Sequence, residues 1–492
     1  MEEILGLNLC ALDRIRMSRD ARFDGKFFIA ITSTRIYCRP ICPSPHANRR
    51  HVRYYASAAA AAAAGYRPCL RCRPEAAPGT PAWLGTSAVV RRALRLIEDG
   101  FLDHDSVDDL AARLGIGPRH LHRLFVRHVG ASPVAMAQTR RLHFTKRLID
   151  ETQLPITQIA FAAGFKSVRR FNSALHQTYG RAPRELRRQR YQTSRQQNEV
   201  VLRLSYRPPY DWEQVRDFLA RRAVPGIERV DETGYSRIVA TDDGHSFICV
   251  RPAEGEDAIE LRVWNTTPAA LLQVTSSVRR IFDLSADPSK IVLAFGSDPL
   301  LGPLVKRSPG LRIPGAWEPF ECTVRAILGQ QVSVSTGRTL VGRLVARCGG
   351  PIPSSKEGFT HLFPTPADLA TANLDGLGLT RVRIDALREL AVAIDSGRFS
   401  FAGSTEEVCE ELVALTGIGT WTAQYVALRA LYEPDAFPAS DFVLRRAAAT
   451  NGAPLPTRAL EKRAEDWRPW RGYAAMHLWC SSKPAEHRLT GK

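Results

Sequence analysis

The sequence predicts a multidomain α+β chain of four units: a small α+β four-cysteine module over 1–78, an all-α double helix-turn-helix domain over 84–190, a small α+β domain over 200–310, and a mostly α domain with a helix-hairpin-helix over 311–492. Three observations predict it. Four of the ten cysteines form two close pairs within the first 75 residues. One helical pattern occurs twice, with turn glycines Gly115 and Gly164 lying 49 residues apart. Beyond Val200, strand-like runs such as VLRLSY and SFICV alternate with helices to about 300, and long helical patterns dominate from about 316. A chain of 492 residues has room for three or four domains of ~150 residues.

Composition narrows the function classes. The chain is 44% hydrophobic and 24% charged, which excludes a wholly disordered chain, a collagen-like chain and a small disulfide scaffold. The net charge of +18 is unevenly spread. Residues 1–200 hold 33 Lys and Arg against 16 Asp and Glu; the remainder hold 35 against 34. Such an excess points to a polyanion partner, nucleic acid first. The opening MEEILGLNLCALDR does not read as a secretory leader. No run reaches the ~18 apolar residues of a membrane span. A cytoplasmic chain with no membrane partner is expected, and there thiols stay reduced. Ten cysteines then suggest metal or reactive thiols before disulfides. The segments AAPGTPA (76–82) and LRRQRYQTSRQQNE (186–199) read as linkers.

In the first unit, Cys38-x3-Cys42 and Cys69-x2-Cys72 form two knuckles 26 residues apart. Paired thiolates at this spacing suit tetrahedral zinc. His46 and His51 stand nearby as possible substitutes, but four thiols suffice. On spacing alone, a closed all-thiolate site reads as structural. The segments Thr34-Arg35-Ile36-Tyr37-Cys38-Arg39-Pro40-x-Cys42 and Gly65-Tyr66-Arg67-Pro68-Cys69-x-Arg71-Cys72 resemble the N-terminal domain of the Ada adaptive-response proteins. The resemblance implies that Cys38 is both ligand and nucleophile. It would take the methyl group of a DNA methylphosphotriester once and irreversibly, with Thr34 and Arg71 near the phosphotriester. A zinc-bound thiol is ionised at neutral pH and is a soft nucleophile for a methyl carbon. Methylation would turn one thiolate into a neutral thioether, reduce repulsion from phosphate and strengthen DNA binding.

In the second unit, DDLAARLGIGPRHLHRLFVRHVGASP (108–133) is echoed by TQIAFAAGFKSVRRFNSALHQTYGRAP (157–183). Each copy reads as a short helix, a glycine turn and a longer basic helix, predicted over Pro118–Val129 and Ser167–Tyr179. The pattern resembles the AraC-type DNA-binding domain. Arg119, His120, His122, Arg123 and Arg127 line the first helix; Lys166, Arg169, Arg170, Asn172 and His176 line the second. Such helices enter successive major grooves of double-stranded DNA. The resemblance implies a transcription activator that recruits RNA polymerase.

The last two units carry Leu415-Thr416-Gly417-Ile418-Gly419-Thr420-Trp421, then Phe437-Pro438-Ala439-Ser440-Asp441. Helix, Gly-Ile-Gly and helix make a helix-hairpin-helix. Gly417 and Gly419 let backbone N–H groups approach a phosphate at a helix start, without reading sequence. With Tyr206-Arg-Pro-Pro-Tyr-Asp-Trp212, Val324-Arg-Ala-Ile-Leu-Gly-Gln-Gln-Val-Ser333 and Trp467-Arg-Pro-Trp-Arg-x-Tyr473, the chain from about Leu202 onward resembles the helix-hairpin-helix glycosylases of the 3-methyladenine DNA glycosylase II type. The resemblance makes Asp441 the catalytic acid, Trp421, Tyr425 and Trp479 the base pocket, and Gln331 the residue at the duplex wedge, where a better-known relative is apolar. Bifunctional members place a Schiff-base Lys where Trp421 stands. No Lys occurs between 415 and 441, so a monofunctional glycosylase is expected.

The sequence therefore reads as a monomeric fusion of methyl sensor, transcription regulator and alkylated-purine glycosylase. Two alternatives stand beside it: a regulator whose glycosylase half is only a DNA clamp, and a glycosylase whose zinc domain only binds DNA. Cys10, Cys249, Cys322, Cys348, Cys409 and Cys480 read as ordinary buried thiols. The second methyl acceptor of Ada proteins, a Pro-Cys-His-Arg motif, is absent from the sequence, and repair of O6-methylguanine is not expected.

Overall fold

The computed structural model describes residues 4, 7–78, 88–98, 100–152, 154–187, 199–241, 244–352, 358–449 and 453–482. The 76–82 and 186–199 linkers lie mostly outside them. The N-terminal module has a four-stranded sheet of β1 (Phe28–Ile31), β2 (Ile36–Cys38), β3 (Val52–Tyr55) and β4 (Arg67–Pro68), in the order β3-β1-β2-β4. Strand β1 is antiparallel to both neighbours, whereas β4 runs parallel to β2. The alanine run forms a helix over Ala58–Ala63 capped by Ser57, whose hydroxyl accepts from Ala60 N–H. Alanines need little room, so this helix lies close on the sheet.

Both copies of the repeat are helical. Pro118–Val129 is found as predicted, with Pro118 in the first turn and Gly130 in the left-handed C-cap. The second helix spans Val168–Tyr179, and Ser167 is its N-cap rather than its first residue. The turn glycines have φ of +68° (Gly115) and +79° (Gly164). The helix Pro133–Glu151 joins the two copies. Leu121, Phe125 and Val129 are buried in the first copy; Phe171, Leu175 and Tyr179 hold the same positions in the second. The two cores differ in their surroundings. The first is closed within its own helices. The second is continuous with the hydrophobic face of the following sheet.

That sheet is antiparallel throughout, in the order β5-β9-β8-β7-β6: β5 (Glu199–Ser205), β6 (Glu228–Val230), β7 (Tyr235–Thr241), β8 (Gly244–Pro252) and β9 (Ala258–Trp264). The helical remainder has two cores. One gathers Pro319–Gly329, Val334–Cys348, Arg381–Asp395, Thr405–Ala414 and Thr420–Arg429. The other gathers Pro288–Phe295, Leu301–Arg307, Thr457–Ala464 and Arg471–Ser481 around Trp467. Residues 288–307 thus pack with the C-terminal helices. Among the described residues, no helix is long and apolar enough to cross a membrane.

The reading of the scattered cysteines needs correction. Only Cys322 is fully buried; Cys249, Cys348, Cys409 and Cys480 are half-buried, and Cys10 is exposed. Cys10 lies on the outer side of an N-terminal helix whose inward face is held by Leu12 and Arg16.

One buried base gives the C-terminal core a pH limit. His477 is 3% exposed, and burial pulls its imidazole down to about 4. The folded state therefore resists protonating a ring that the unfolded chain protonates below about 6.5. This contribution is complete above that pH and is lost as pH falls towards 4, about 3 kcal/mol in all. Urea unfolding at pH 7 and pH 4.5 should show the loss, and His477→Leu should reduce it, while His143, whose burial also pulls it down to about 4, keeps its own share.

Candidate functional site

The cysteine cluster follows from strand register. Parallel pairing of Ile36 with Arg67 and Tyr37 with Pro68 carries the two knuckles together, and Cys69 N–H donates to Tyr37 O at 3.0 Å. A turn closed by Cys42 N–H to Arg39 O brings in the second sulfur. All four Sγ atoms lie within 4.8 Å of one another. Hydrogen bonds inside the cluster hold the Cys38 and Cys72 thiols well above their ordinary range, while they pull Cys42 down and Cys69 down to about 6. Four sulfurs this close do not all ionise alone. A soft dication with tetrahedral preference satisfies them, and the donor set fits zinc. Cys38 is the most accessible ligand residue; Cys42, Cys69 and Cys72 are 9%, 8% and 8% exposed. Thr34 is exposed in the β1–β2 turn, and Arg71 is exposed between the second pair of ligands. His51 pairs with the Thr32 hydroxyl.

On the two longer repeat helices, Arg119, His120, Arg123, Arg169 and Arg170 are exposed, as is Lys166 just before the second. His122, Arg127, Asn172 and His176 share those outer faces. Arg123 reaches back one turn to His120 Nδ1 at 2.9 Å. Each helix buries every fourth residue or so and leaves its basic face to solvent.

The C-terminal site lies in the seam between the two helical cores. Trp421 and Tyr425 pack against one core and Trp479 against the other. Asp441 caps the short helix Phe442–Ala447 and accepts from Leu444 N–H at 3.0 Å. Its other partners are indoles: Trp421 Nε1 donates to Oδ2 at 2.9 Å and Trp479 Nε1 to Oδ1 at 3.2 Å. Three donors therefore fix the direction of a carboxylate that remains partly exposed. Trp421 and Tyr425 stack at 5.3 Å and 18°, and Tyr425 meets Trp479 edge-on at 6.2 Å. Rings 5.3 Å apart leave no room for a base between them, since two stacking layers need about 7 Å. A bound base would use an outer face unless the rings part.

The hairpin sits beside this carboxylate. Helix Thr405–Ala414 leads into a turn where Gly417 has φ +77°, and a Cβ there would stand 2.8 Å from Ala386 Cβ. Gly419 is the N-cap of Thr420–Arg429. Both glycines are exposed, whereas Ile418 between them is buried. Gln331 is exposed in the turn after Pro319–Gly329, with a left-handed φ of +52°. Its neighbour supplies the anchor: Gln330 Nε2 donates to Gly417 O at 3.1 Å and to Thr422 Oγ1 at 3.0 Å, while Arg383 holds Gln330 O.

Sequence reasoning missed several residues at this site. Gln330 ties the Gln331 turn to the hairpin. Arg429 Nη1 donates to Tyr425 OH at 2.6 Å, and Arg222 bonds the same hydroxyl from the α+β domain. Phe442, 60% exposed, stands next to Asp441 in sequence. The i, i+4 spacing of Tyr425 and Arg429 was a readable signal; Arg222 had none without the fold.

Four family descriptions match in order: metal binding domain of Ada over 12–75, helix-turn-helix domain over 110–189, AlkA N-terminal domain over 201–318, and HhH-GPD superfamily base excision DNA repair protein over 324–470. A probable bifunctional transcriptional activator/DNA repair enzyme AlkA of Mycobacterium tuberculosis is 41% identical over 472 residues, covering 95% of each chain. DNA-3-methyladenine glycosylase 2 of Escherichia coli is 34% identical over 56% of this chain and 95% of its own. The bifunctional Ada enzyme of the same organism is 34% identical over 35% of this chain and 47% of its own. A 3-methyladenine DNA glycosylase of Archaeoglobus fulgidus, 24% identical, shares the fold with a TM-score of 0.50 over 56% of this chain and 96% of that one. An Ada-type zinc module and helix-turn-helix domain joined to an AlkA-type glycosylase, matched end to end in this way, place the chain in the family of bifunctional transcriptional activator/DNA repair enzymes that the mycobacterial protein represents.

Proposed function

We propose that the chain is a monomeric DNA-alkylation response protein with two chemistries. The C-terminal half releases alkylated purines of the 3-methyladenine type from double-stranded DNA. The N-terminal half moves the methyl of a DNA methylphosphotriester to Cys38 and then activates transcription with RNA polymerase. The observation that carries the first chemistry is Asp441, oriented by Trp421 and Trp479 beside the Gly417–Gly419 hairpin.

The residues divide the work as follows. The hairpin N–H groups take a DNA phosphate, and Gln331 fills the duplex gap while the lesion is flipped out. Aromatic faces favour a cationic alkylpurine over a neutral base by about 1 kcal/mol. Breakage of the C1′–N bond leaves its electron pair on the purine, neutralising that cation. Positive charge develops on the sugar, where Asp441 stabilises it and orients the water that adds to C1′. At the other end, zinc supplies an ionised sulfur. The Cys38 thiolate forms an S–CH3 bond as the phosphotriester oxygen departs as a phosphodiester anion. Thr34 and Arg71 flank that phosphate. The exposed cations Arg119, His120, Arg123, Lys166, Arg169 and Arg170 divide between phosphates and base edges.

Both activities should appear in one purified sample: free 3-methyladenine from methylated DNA, and a methylated Cys38 peptide from methylphosphotriester DNA. A sample that binds methylated DNA without releasing base would favour the clamp reading. Trp421 stands where a Schiff-base lysine would be, so borohydride should trap no covalent protein–DNA complex. A trapped complex would show lyase chemistry and refute the monofunctional assignment.

A further inference from the structure

We infer that the zinc module has a further function within the chain: it is a metal-dependent structural partner of the glycosylase half, fastened by Asp24 and Lys26. Asp24 and Lys26 each bond a residue of the other half, and Gly25 between them has no side chain to obstruct the approach. Asp24 faces the cluster. Its carboxylate accepts from Arg39 Nε at 2.9 Å, while Arg39 N–H donates to Cys72 Sγ at 3.3 Å and Arg39 Nη1 to Cys72 O at 3.2 Å. The carbonyl of the same Asp24 accepts from Arg207 Nε at 2.9 Å. Gly25 has φ +71°, and a Cβ there would stand 2.1 Å from Pro78 O. Lys26 pairs with Asp287 at 2.6 Å and donates to Ser289 Oγ at 3.0 Å.

The partner groups are equally committed. Arg207, from the segment after β5, has no exposed surface. It donates also to Ser285 O at 2.9 Å and Pro78 O at 3.3 Å, so its guanidinium is satisfied by carbonyls from both halves of the chain. The Lys26 and Asp287 side chains are 4% and 0% exposed. Burying such a pair is costly unless each partner is held. Removing the zinc module would take from Arg207 its bonds to Asp24 O and Pro78 O, and from Asp287 the Lys26 ammonium that balances its charge.

Zinc enters because binding of a structural metal is folding free energy. Without it the Cys69–Cys72 knuckle loses the shape that positions Cys72, and Arg39 loses two of its acceptors. Asp24 then loses the guanidinium that fixes it, and the segment through Lys26 is released. This inference rests on the zinc site and holds whether or not Cys38 accepts a methyl group.

Hydrogen exchange on the full-length protein tests it. Stripping zinc with a mercurial and chelator under reducing conditions should speed exchange about tenfold or more in peptides covering 205–210 and 283–290, with little change over 405–430. Lys26→Met, with one zinc still bound per chain by metal analysis, should reproduce the increase at 283–290 alone. Should that variant fail to fold, Ser289→Ala removes the second Lys26 contact and the Ser289–Asp287 bond, keeps the Lys26–Asp287 pair, and should show a smaller increase at the same place. Faster exchange confined to 7–78 after stripping would overturn the inference, as would unchanged 283–290 protection in a zinc-loaded Lys26→Met protein.

Discussion

Asp441→Asn should lower single-turnover release of 3-methyladenine by about a thousandfold or more, while DNA affinity and melting temperature stay near wild type. The carboxylate supplies the charge that meets the developing sugar cation, and an amide has none. Asn is an equally good N-cap, so the helix after it keeps its start. The geometry adds a complication that the experiment has to absorb. Trp421 Nε1 and Trp479 Nε1 approach opposite carboxylate oxygens. An Asn amide can accept from one of them and must face the other with its own N–H. Trp421→Phe separates the two effects, because it keeps the ring and removes the indole donor. Loss of charge predicts that Trp421→Phe retains most activity. An Asp441→Asn enzyme with near-normal base release would remove Asp441 from the mechanism.

Much of this site was legible before the fold, and the reasons are physical. Paired cysteines, a Gly-x-Gly turn between helices and an Asp at a fixed distance after it are local patterns, set by coordination geometry and backbone sterics. The register that joins the two cysteine knuckles is not local. It depends on β4, a strand of only two residues, Arg67–Pro68, too short to carry a periodic signal. The repeat was readable because each recognition helix keeps an amphipathic pattern. That the second copy shares a core with the next domain was not, because apolar faces do not state what they will meet. Arg222 and Arg207 were hidden for the same reason: a buried arginine looks in sequence like a solvated one. Cys10 shows the converse error, since a thiol's burial depends on which face of its helix turns inward.

The zinc end makes the second large prediction. Incubation with methylphosphotriester DNA should add about 14 Da, one CH2, to the peptide bearing Cys38, and Cys38→Ala should abolish the gain. Two features select Cys38 among four ligands. It is the most accessible of them, and a methyl carbon must be reached in line. Cys72, by contrast, accepts the Arg39 N–H, which withdraws electron density from its sulfur, and Cys69 and Cys72 are buried. Cys38→Ala should still hold zinc through three thiolates, whereas loss of Cys69 or Cys72 should release the metal and the knuckle with it. Methylation also removes one negative charge from a surface flanked by Thr34 and Arg71. A single charge at contact distance in water is worth about 1 kcal/mol, so affinity for DNA should rise about fivefold at low salt and less at high salt. A methyl recovered on Cys42, Cys69 or Cys72 instead would mean that accessibility does not govern the transfer, and the assignment of Cys38 as nucleophile would fall.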